Sequence, residues 1–86
     1  MLHLMEEKII DNENIIGSNI RRLRKQKGIG QTELVKQLQL KNVNMTRETL
    51  VKIEAGRQHI KLSQLDGIKH ILNVNYEVLL ADKDEK

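Results

Sequence analysis

The residues in this sequence whose types and spacing suit chemistry suit recognition rather than catalysis. His3, His59 and His70 are scattered and show no paired metal-ligand spacing. Cysteine is absent, which removes disulfides, thiol catalysis and thiolate zinc sites. No serine, histidine and acid combination suggests a triad, and Gly28 and Gly30 bound a turn rather than cradle a phosphate. The expectation is a chain that is not an enzyme and has no metal or cofactor. What stands out is a set of hydrogen-bonding side chains on a short helix. Arg47, Glu48 and Lys52 point away from its apolar side, and Thr49 flanks them at its start. A guanidinium pairs bidentately with guanine, a carboxylate accepts from cytosine N4, and a lysine reads guanine or holds a phosphate. The same charges suit any surface helix. Glu48 and Lys52 are i,i+4 neighbours, for which an ion pair worth ~0.5 kcal/mol is a sufficient account.

The elements that position these residues are helical. Ile16, Ile20 and Leu23 fall at i, i+4 and i+7, one face of a helix reaching about Lys27, with Gly28 a left-handed stop. A second helix fits Gln31 to about Gln39, turning Leu34, Val35 and Leu38 inward. Residues 40–45 read as a loop in which Asn42 and Asn44 tolerate turn conformations. Thr46 caps a third helix, Arg47 to about Ala55, whose inner face is Leu50 and Ile53, and Gly56 ends it. A fourth spans about Leu62 to Leu72, and Gly67 inside it costs ~1 kcal/mol relative to alanine. Asn75 caps a last short helix carrying Val78, Leu79 and Leu80. No pair of strand-like runs is joined by a hairpin turn. The predicted fold class is all-α, a compact five-helix domain.

Composition narrows the class of partner. The chain has 86 residues, one domain's worth, with no proline and a single aromatic residue, Tyr76, so aliphatic side chains must build the core. Residues 1–14 set Lys8 against Glu6, Glu7, Asp11 and Glu13, a net of −3, and residues 81–86 set Lys83 and Lys86 against Asp82, Asp84 and Glu85, a net of −1. The body between them carries +7, from 12 basic and 5 acidic residues. A basic body with acidic ends suits a polyanionic partner and equally a solvated basic surface. No stretch approaches the ~20 apolar residues of a membrane span. Glu6 and Glu7 interrupt the opening residues where a signal peptide would be apolar. A cytoplasmic location and no membrane partner are therefore expected. The organisation predicted is an N-terminal extension over 1–14, a folded domain over 15–81 and a charged acidic tail over 82–86. Leu2, Leu4, Met5, Ile9 and Ile10 make the extension too apolar for a plain disordered tail; some ordered structure is expected, with a short extra helix one form of it and partial disorder the alternative.

Taken together, residues 16–56 carry a recognisable frame. Leu23-Arg24-Lys25-x-Lys27-Gly28 is followed by a Gly-Ile-Gly turn. Gln31 then opens a short helix with Leu34 and Val35 behind it, and a capped helix ends in Ile53-Glu54-Ala55-Gly56. This resembles the Cro and phage-repressor (xenobiotic-response-element) helix-turn-helix family over about residues 16–80. The resemblance implies that the third helix enters the DNA major groove, with Arg47, Glu48 and Lys52 reading bases. It implies that Gln31 contacts a phosphate and braces the reading helix. Thr32 beside it, and Arg57 and Lys61 after the third helix, join it as backbone-contact candidates. Arg24 and Glu54 are implied to form a structural ion pair beneath the reading helix. The function implied is that of a sequence-specific, double-stranded DNA-binding transcription regulator, a repressor. The alternative is a protein-interaction module of the same fold, an anti-repressor or antitoxin-like partner, whose own partner is unknown.

Three departures qualify the match. Gly30 stands where the family usually has a serine or threonine cap. Glycine caps acceptably there and leaves the helix N–H groups open. The loop between Leu38 and Thr46 is roughly five residues longer than the family's tight turn, cheap in loop entropy. It brings Lys41, Asn42, Asn44 and Thr46 into range of the phosphate backbone and leaves the angle of the reading helix open. Val51 falls where the family is polar. A single reading helix covers few base pairs, so a homodimer is expected. Its seam is drawn from Val74, Tyr76, Leu79 and Leu80 or from the N-terminal segment, and closure of the core explains the C-terminal set equally well.

Overall fold

The computed structural model describes residues 8–82. Five helices follow one another: α1 (Ile15–Gln26), α2 (Gln31–Leu40), α3 (Arg47–Glu54), α4 (Leu62–Leu72) and α5 (Tyr76–Leu80). The expected all-α class holds, and the helix limits fall within about a residue of those the apolar spacing predicts. α2 runs one residue further, and α3 stops one residue earlier with Ala55 as its cap.

Each helix sends an aliphatic stripe into one core. Ile16, Ile20 and Leu23 of α1 meet Leu34, Val35 and Leu38 of α2, Leu50 and Ile53 of α3, and Leu65, Ile68 and Leu72 of α4, all buried. Leu79 of α5 is fully buried too. Burying each such side chain is worth about 1.5–3 kcal/mol, which is how a chain with one aromatic residue stays folded. α1 packs against α3 and α5, and α2 against α3 and α4. α2 and α3 therefore pack on each other, with α1 against α3 and α4 against α2.

Helix ends follow local chemistry. The Thr46 hydroxyl accepts from the Thr49 N–H at 3.1 Å, and the Asn75 side chain accepts from the Val78 N–H at 2.9 Å. α1 and α3 both close in turns where the chain goes left-handed at a glycine, Gly28 at φ 70° and Gly56 at φ 77°. The next N–H reaches back to the helix: Ile29 to the Arg24 carbonyl and Arg57 to the Lys52 carbonyl. Asn42 (φ 65°) and Asn73 (φ 56°) end α2 and α4 in the same way.

Two features differ from the sequence reading. A strand pair exists, though not a hairpin: β1 (Lys8–Ile9) lies antiparallel to β2 (Ile60–Lys61), with Lys8 opposite Lys61 and Ile9 opposite Ile60. Fifty residues separate the partners, so no local turn signal marks them. The described part of the N-terminal segment is consequently strand and turn, not helix, with Ile9 packed against the core. Its residues 1–7, like residues 83–86 of the tail, lie outside the described span. The cap of α1 also comes from this segment. Both carboxylate oxygens of Asp11 accept from the helix, from the Ile15 N–H at 2.8 Å and the Ile16 N–H at 2.7 Å.

The long α2–α3 loop is pinned rather than loose. Met45 is buried in the core. The Gln39 amide donates to the Met45 carbonyl at 2.9 Å, and the buried Gln64 of α4 donates to the Asn44 carbonyl at 3.1 Å. Gly67 explains itself here: a Cβ on it would come within 2.8 Å of the Leu38 side chain and 3.1 Å of Val43. A small residue lets α4 lie close under the loop, against the intrinsic cost of glycine in a helix.

Candidate nucleic-acid interface

α3 is eight residues long, and burial of Leu50 and Ile53 fixes which side faces out. Arg47, Glu48 and Lys52 are exposed on that outer side. Lys52 Nζ lies 3.7 Å from Glu48 Oε2, a solvent-exposed i,i+4 pair that a competing anion would readily open. Arg47 is the first residue of the helix and is exposed. Thr49 is half-buried, and its hydroxyl accepts from the Thr46 hydroxyl at 3.0 Å, so both threonines serve the cap of α3.

Under the other end of α3 sits a buried charge network. Arg24 and Glu54 meet side by side, Nε to Oε2 at 2.8 Å and Nη2 to Oε1 at 2.9 Å, with side chains only 8% and 3% exposed. Arg24 Nη1 also donates to the Ile29 carbonyl at 2.9 Å. A bidentate guanidinium–carboxylate pair fixes orientation as well as distance, so α1, α3 and the turn entering α2 are held in one geometry. Gln31 joins it, its Nε2 donating to Glu54 Oε1 at 3.1 Å. The residue that opens α2 is thus bonded to the residue that ends α3.

The N-terminus of α2 carries no side-chain cap, since Gly30 supplies none. Unpartnered N–H groups and the helix dipole make such an end receptive to an anion. Thr32 is exposed beside it. Glu33 in the same turn is negative, and it is engaged by the Gln37 amide at 2.7 Å.

The remaining candidates divide. Arg57 is exposed directly after the α3 stop, and Lys61 is half-exposed at the end of β2. Lys41, Asn42 and Asn44 are exposed along the α2–α3 loop, where the identity of Asn42 is already accounted for by its positive φ. Arg21 and Lys25 are exposed on α1 and Lys27 just past its end, whereas Arg22 is half-buried and donates to Asn19 Oδ1 at 2.9 Å. The C-terminal apolar set divides as well: Leu79 belongs to the core, Val74 and Tyr76 pack partly against it, and Val78 and Leu80 remain exposed. Among the described residues no group of three or more histidine, aspartate or glutamate side chains is placed to hold a metal, and no helix is long and apolar enough to cross a membrane.

Three polar residues escaped sequence reasoning. Asn14 sits where a helix cap is expected, but its amide donates to the Glu54 carbonyl, 40 residues away, at 3.0 Å. Asn19 is buried in α1 and donates to the Leu79 and Ala81 carbonyls at 2.7 and 2.8 Å, which ties down the end of α5. Gln64 is the third. A polar residue at a core-facing helical position is the one signal that could have marked Asn19 and Gln64, and nothing local names their partners.

No protein-family model matches the chain, and no curated protein matches it. It is similar to the crystal structure of a hypothetical transcription factor, NHTF, from Neisseria. The two are 28% identical, the match covers 99% of this chain and 94% of that one, and the TM-score is 0.70. The fold is that of an all-α helix-turn-helix domain. Within it, α2 and α3 are the two helices of the motif, and α1, α4 and α5 are their support.

Proposed function

We propose that this chain is a sequence-specific DNA-binding transcription regulator of the Cro and phage-repressor type, which places α3 in the major groove. The observation that carries the reading is the network Gln31–Glu54–Arg24. It couples the anion-receptive start of α2 to the helix that presents Arg47, Glu48 and Lys52. A groove-reading helix needs such coupling, because phosphate contacts set the register in which base contacts are made. The near full-length likeness to a protein named as a transcription factor points the same way.

In this reading Arg47 donates to a guanine, Glu48 and Lys52 part to meet bases, and Thr49 lies against the groove wall. Gln31, Thr32, Thr46, Arg57 and Lys61 meet phosphates, with Lys41, Asn42 and Asn44 reaching the backbone from the loop. The protein works in the cytoplasm by binding rather than catalysis, and represses by occupying its site. Two copies bind adjacent half-sites. Val78 and Leu80, 37% and 48% exposed on α5, are the apolar residues available to a seam between them.

Selection of sites from a random duplex pool, with wild type and Arg47→Ala in parallel, tests this. A palindromic motif in which the variant relaxes one base position per half-site is the expected result. No enrichment by wild type, and no DNA affinity even at low salt, would overturn the reading and direct the search to a protein partner.

A further inference from the structure

Residues 8–14 are held to the rest of the domain at three points, and two of them bear on the segment that leaves α3. Asn14 takes a left-handed backbone, φ 54°, and donates from Nδ2 to the Glu54 carbonyl at 3.0 Å. That carbonyl belongs to the last turn of α3, where helix carbonyls lack intrahelical partners. The side chain also fills a notch built from two glycines. A Cβ on Gly17 would lie 2.3 Å from Asn14 Oδ1, and a Cβ on Gly56 would lie 2.9 Å from Asn14 Cγ. Three residues earlier, Asp11 caps α1, and the chain before it pairs as β1 with β2. The segment between Gly56 and Lys61 is therefore gripped at its start by Asn14 and at its end by Lys8 and Ile9. Arg57 stands exposed inside that span, with its own N–H fixed on the Lys52 carbonyl at 2.8 Å.

We propose that Asn14 is a positioning residue for the DNA-backbone contact of Arg57: it touches no DNA, and it holds the turn after α3 in the shape that presents this guanidinium. The proposal rests on the DNA-binding reading above. It gives the N-terminal segment a role in the interface without placing it in the groove. The Arg24–Glu54 pair acts on the side chain of Glu54, and Asn14 acts on its carbonyl, so the direction in which the chain leaves α3 is set separately from the seat of the helix itself.

The test is a double-mutant cycle on the full chain, using Asn14→Gly, Arg57→Ala and the double variant. Glycine keeps the positive φ accessible and removes only the wedge and its donor. Asn14→Asp is the second variant, with the same shape and an acceptor in place of the donor. The probe is a mixed-sequence duplex, with affinity followed across a salt series. Asn14→Gly and Arg57→Ala are each expected to weaken binding about two- to fivefold, the scale of one exposed ion pair. Each should make the salt slope shallower by about 0.9. The double variant should bind no more weakly than Arg57→Ala. In parallel, amide hydrogen exchange over residues 57–61 should lose protection in Asn14→Gly and Asn14→Asp while α2 and α4 keep theirs. A merely structural role would leave the salt slope alone and add to the loss from Arg57→Ala. Additive losses, an unchanged slope or unchanged protection at 57–61 each overturn the proposal. If wild type itself shows no affinity at low salt, the DNA reading has failed, and that failure appears in the wild-type arm alone.

Discussion

Removing the Arg24 guanidinium should cost this fold far more than removing that of Arg21, three residues away on the same helix. Arg24 donates twice to Glu54 and once to the Ile29 carbonyl, and both members of the pair are almost fully buried. In Arg24→Ala the Glu54 side chain loses its guanidinium partner in that buried setting, with the Gln31 amide at 3.1 Å as the side-chain donor that remains. Breaking a buried pair from one side costs about 3–5 kcal/mol. A domain of this length has only roughly 4–13 kcal/mol to lose, at about 0.05–0.15 kcal/mol per residue. Each kcal/mol shifts the melting temperature of so small a domain by about 4–8 °C. Arg24→Ala should therefore melt at least about 12 °C below wild type. Arg21 is exposed, and Arg21→Ala should stay within about 0.5 kcal/mol of it. Thermal melts by circular dichroism, with urea titrations for the free energies, read both. A third variant separates the stranded charge from the pair's net worth: Arg24→Met with Glu54→Leu removes both charges and should be more stable than Arg24→Ala. Equal melting temperatures for Arg24→Ala and Arg21→Ala would refute the reasoning, because they would mean that the buried pair can be broken from one side at no cost.

Other consequences are equally open to measurement. Gly17→Ala places a Cβ 2.2 Å from the Ile53 carbonyl oxygen, a backbone atom that cannot step aside. It should destabilise by about 1–3 kcal/mol despite alanine's better helix propensity, and a urea midpoint at or above wild type would contradict the close α1–α3 contact. Thr46→Ala removes the cap of α3 and should cost about 1 kcal/mol, with no loss leaving the Thr46–Thr49 bond without energetic content. Tyr76 donates to Asp66 Oδ1 at 2.5 Å, and this bond, followed by burial and the carboxylate's charge, raises its pKa above the ordinary 10.0. The folded state thus holds that proton more tightly than the unfolded one. The stabilisation is complete below pH 10 and fades as pH climbs through the raised value. Ultraviolet titration of this sole tyrosine should move back toward 10.0 in Asp66→Ala, and an unmoved midpoint would remove the assigned cause.

What the sequence made legible was whatever is encoded locally. The spacing of Ile16, Ile20 and Leu23, the stops at Gly28 and Gly56, and the caps Thr46 and Asn75 all act within a few residues of themselves. They placed five helices closely. What escaped is encoded by partners far along the chain. Ile9 and Ile60 form a strand pair because the core places them side by side, and neither carries a turn signal. Asp11 caps α1 from four residues before it, and Asn14 reaches across to α3, a partner 40 residues away that no local signal names. Asn42 was legible locally, since asparagine tolerates the turn conformation it adopts at φ 65°. Leu79 was readable as core or as seam, and complete burial assigns it to the core.

The long α2–α3 loop is where physical reasoning from the sequence stopped short, and the structure shows why length alone misleads. Entropy makes a loop insertion cheap, which says nothing about whether the helix after it is held. Here the loop is tied down by a core side chain, Met45, and its carbonyls at Asn44 and Met45 are taken by two glutamine amides from α4 and α2. α3 is thus fixed at its start by the loop, along its middle by Leu50 and Ile53, and at its end by Arg24 and Asn14. A helix held at three points cannot re-aim to suit whatever surface it meets. For a helix that reads bases, that rigidity is what specificity demands, because the about 1–3 kcal/mol by which a bidentate contact favours one base over another is lost when the side chain can shift to satisfy both. The added residues therefore extend the platform of α3 rather than loosen it, and they do so with bonds that a tight turn has no residues to make.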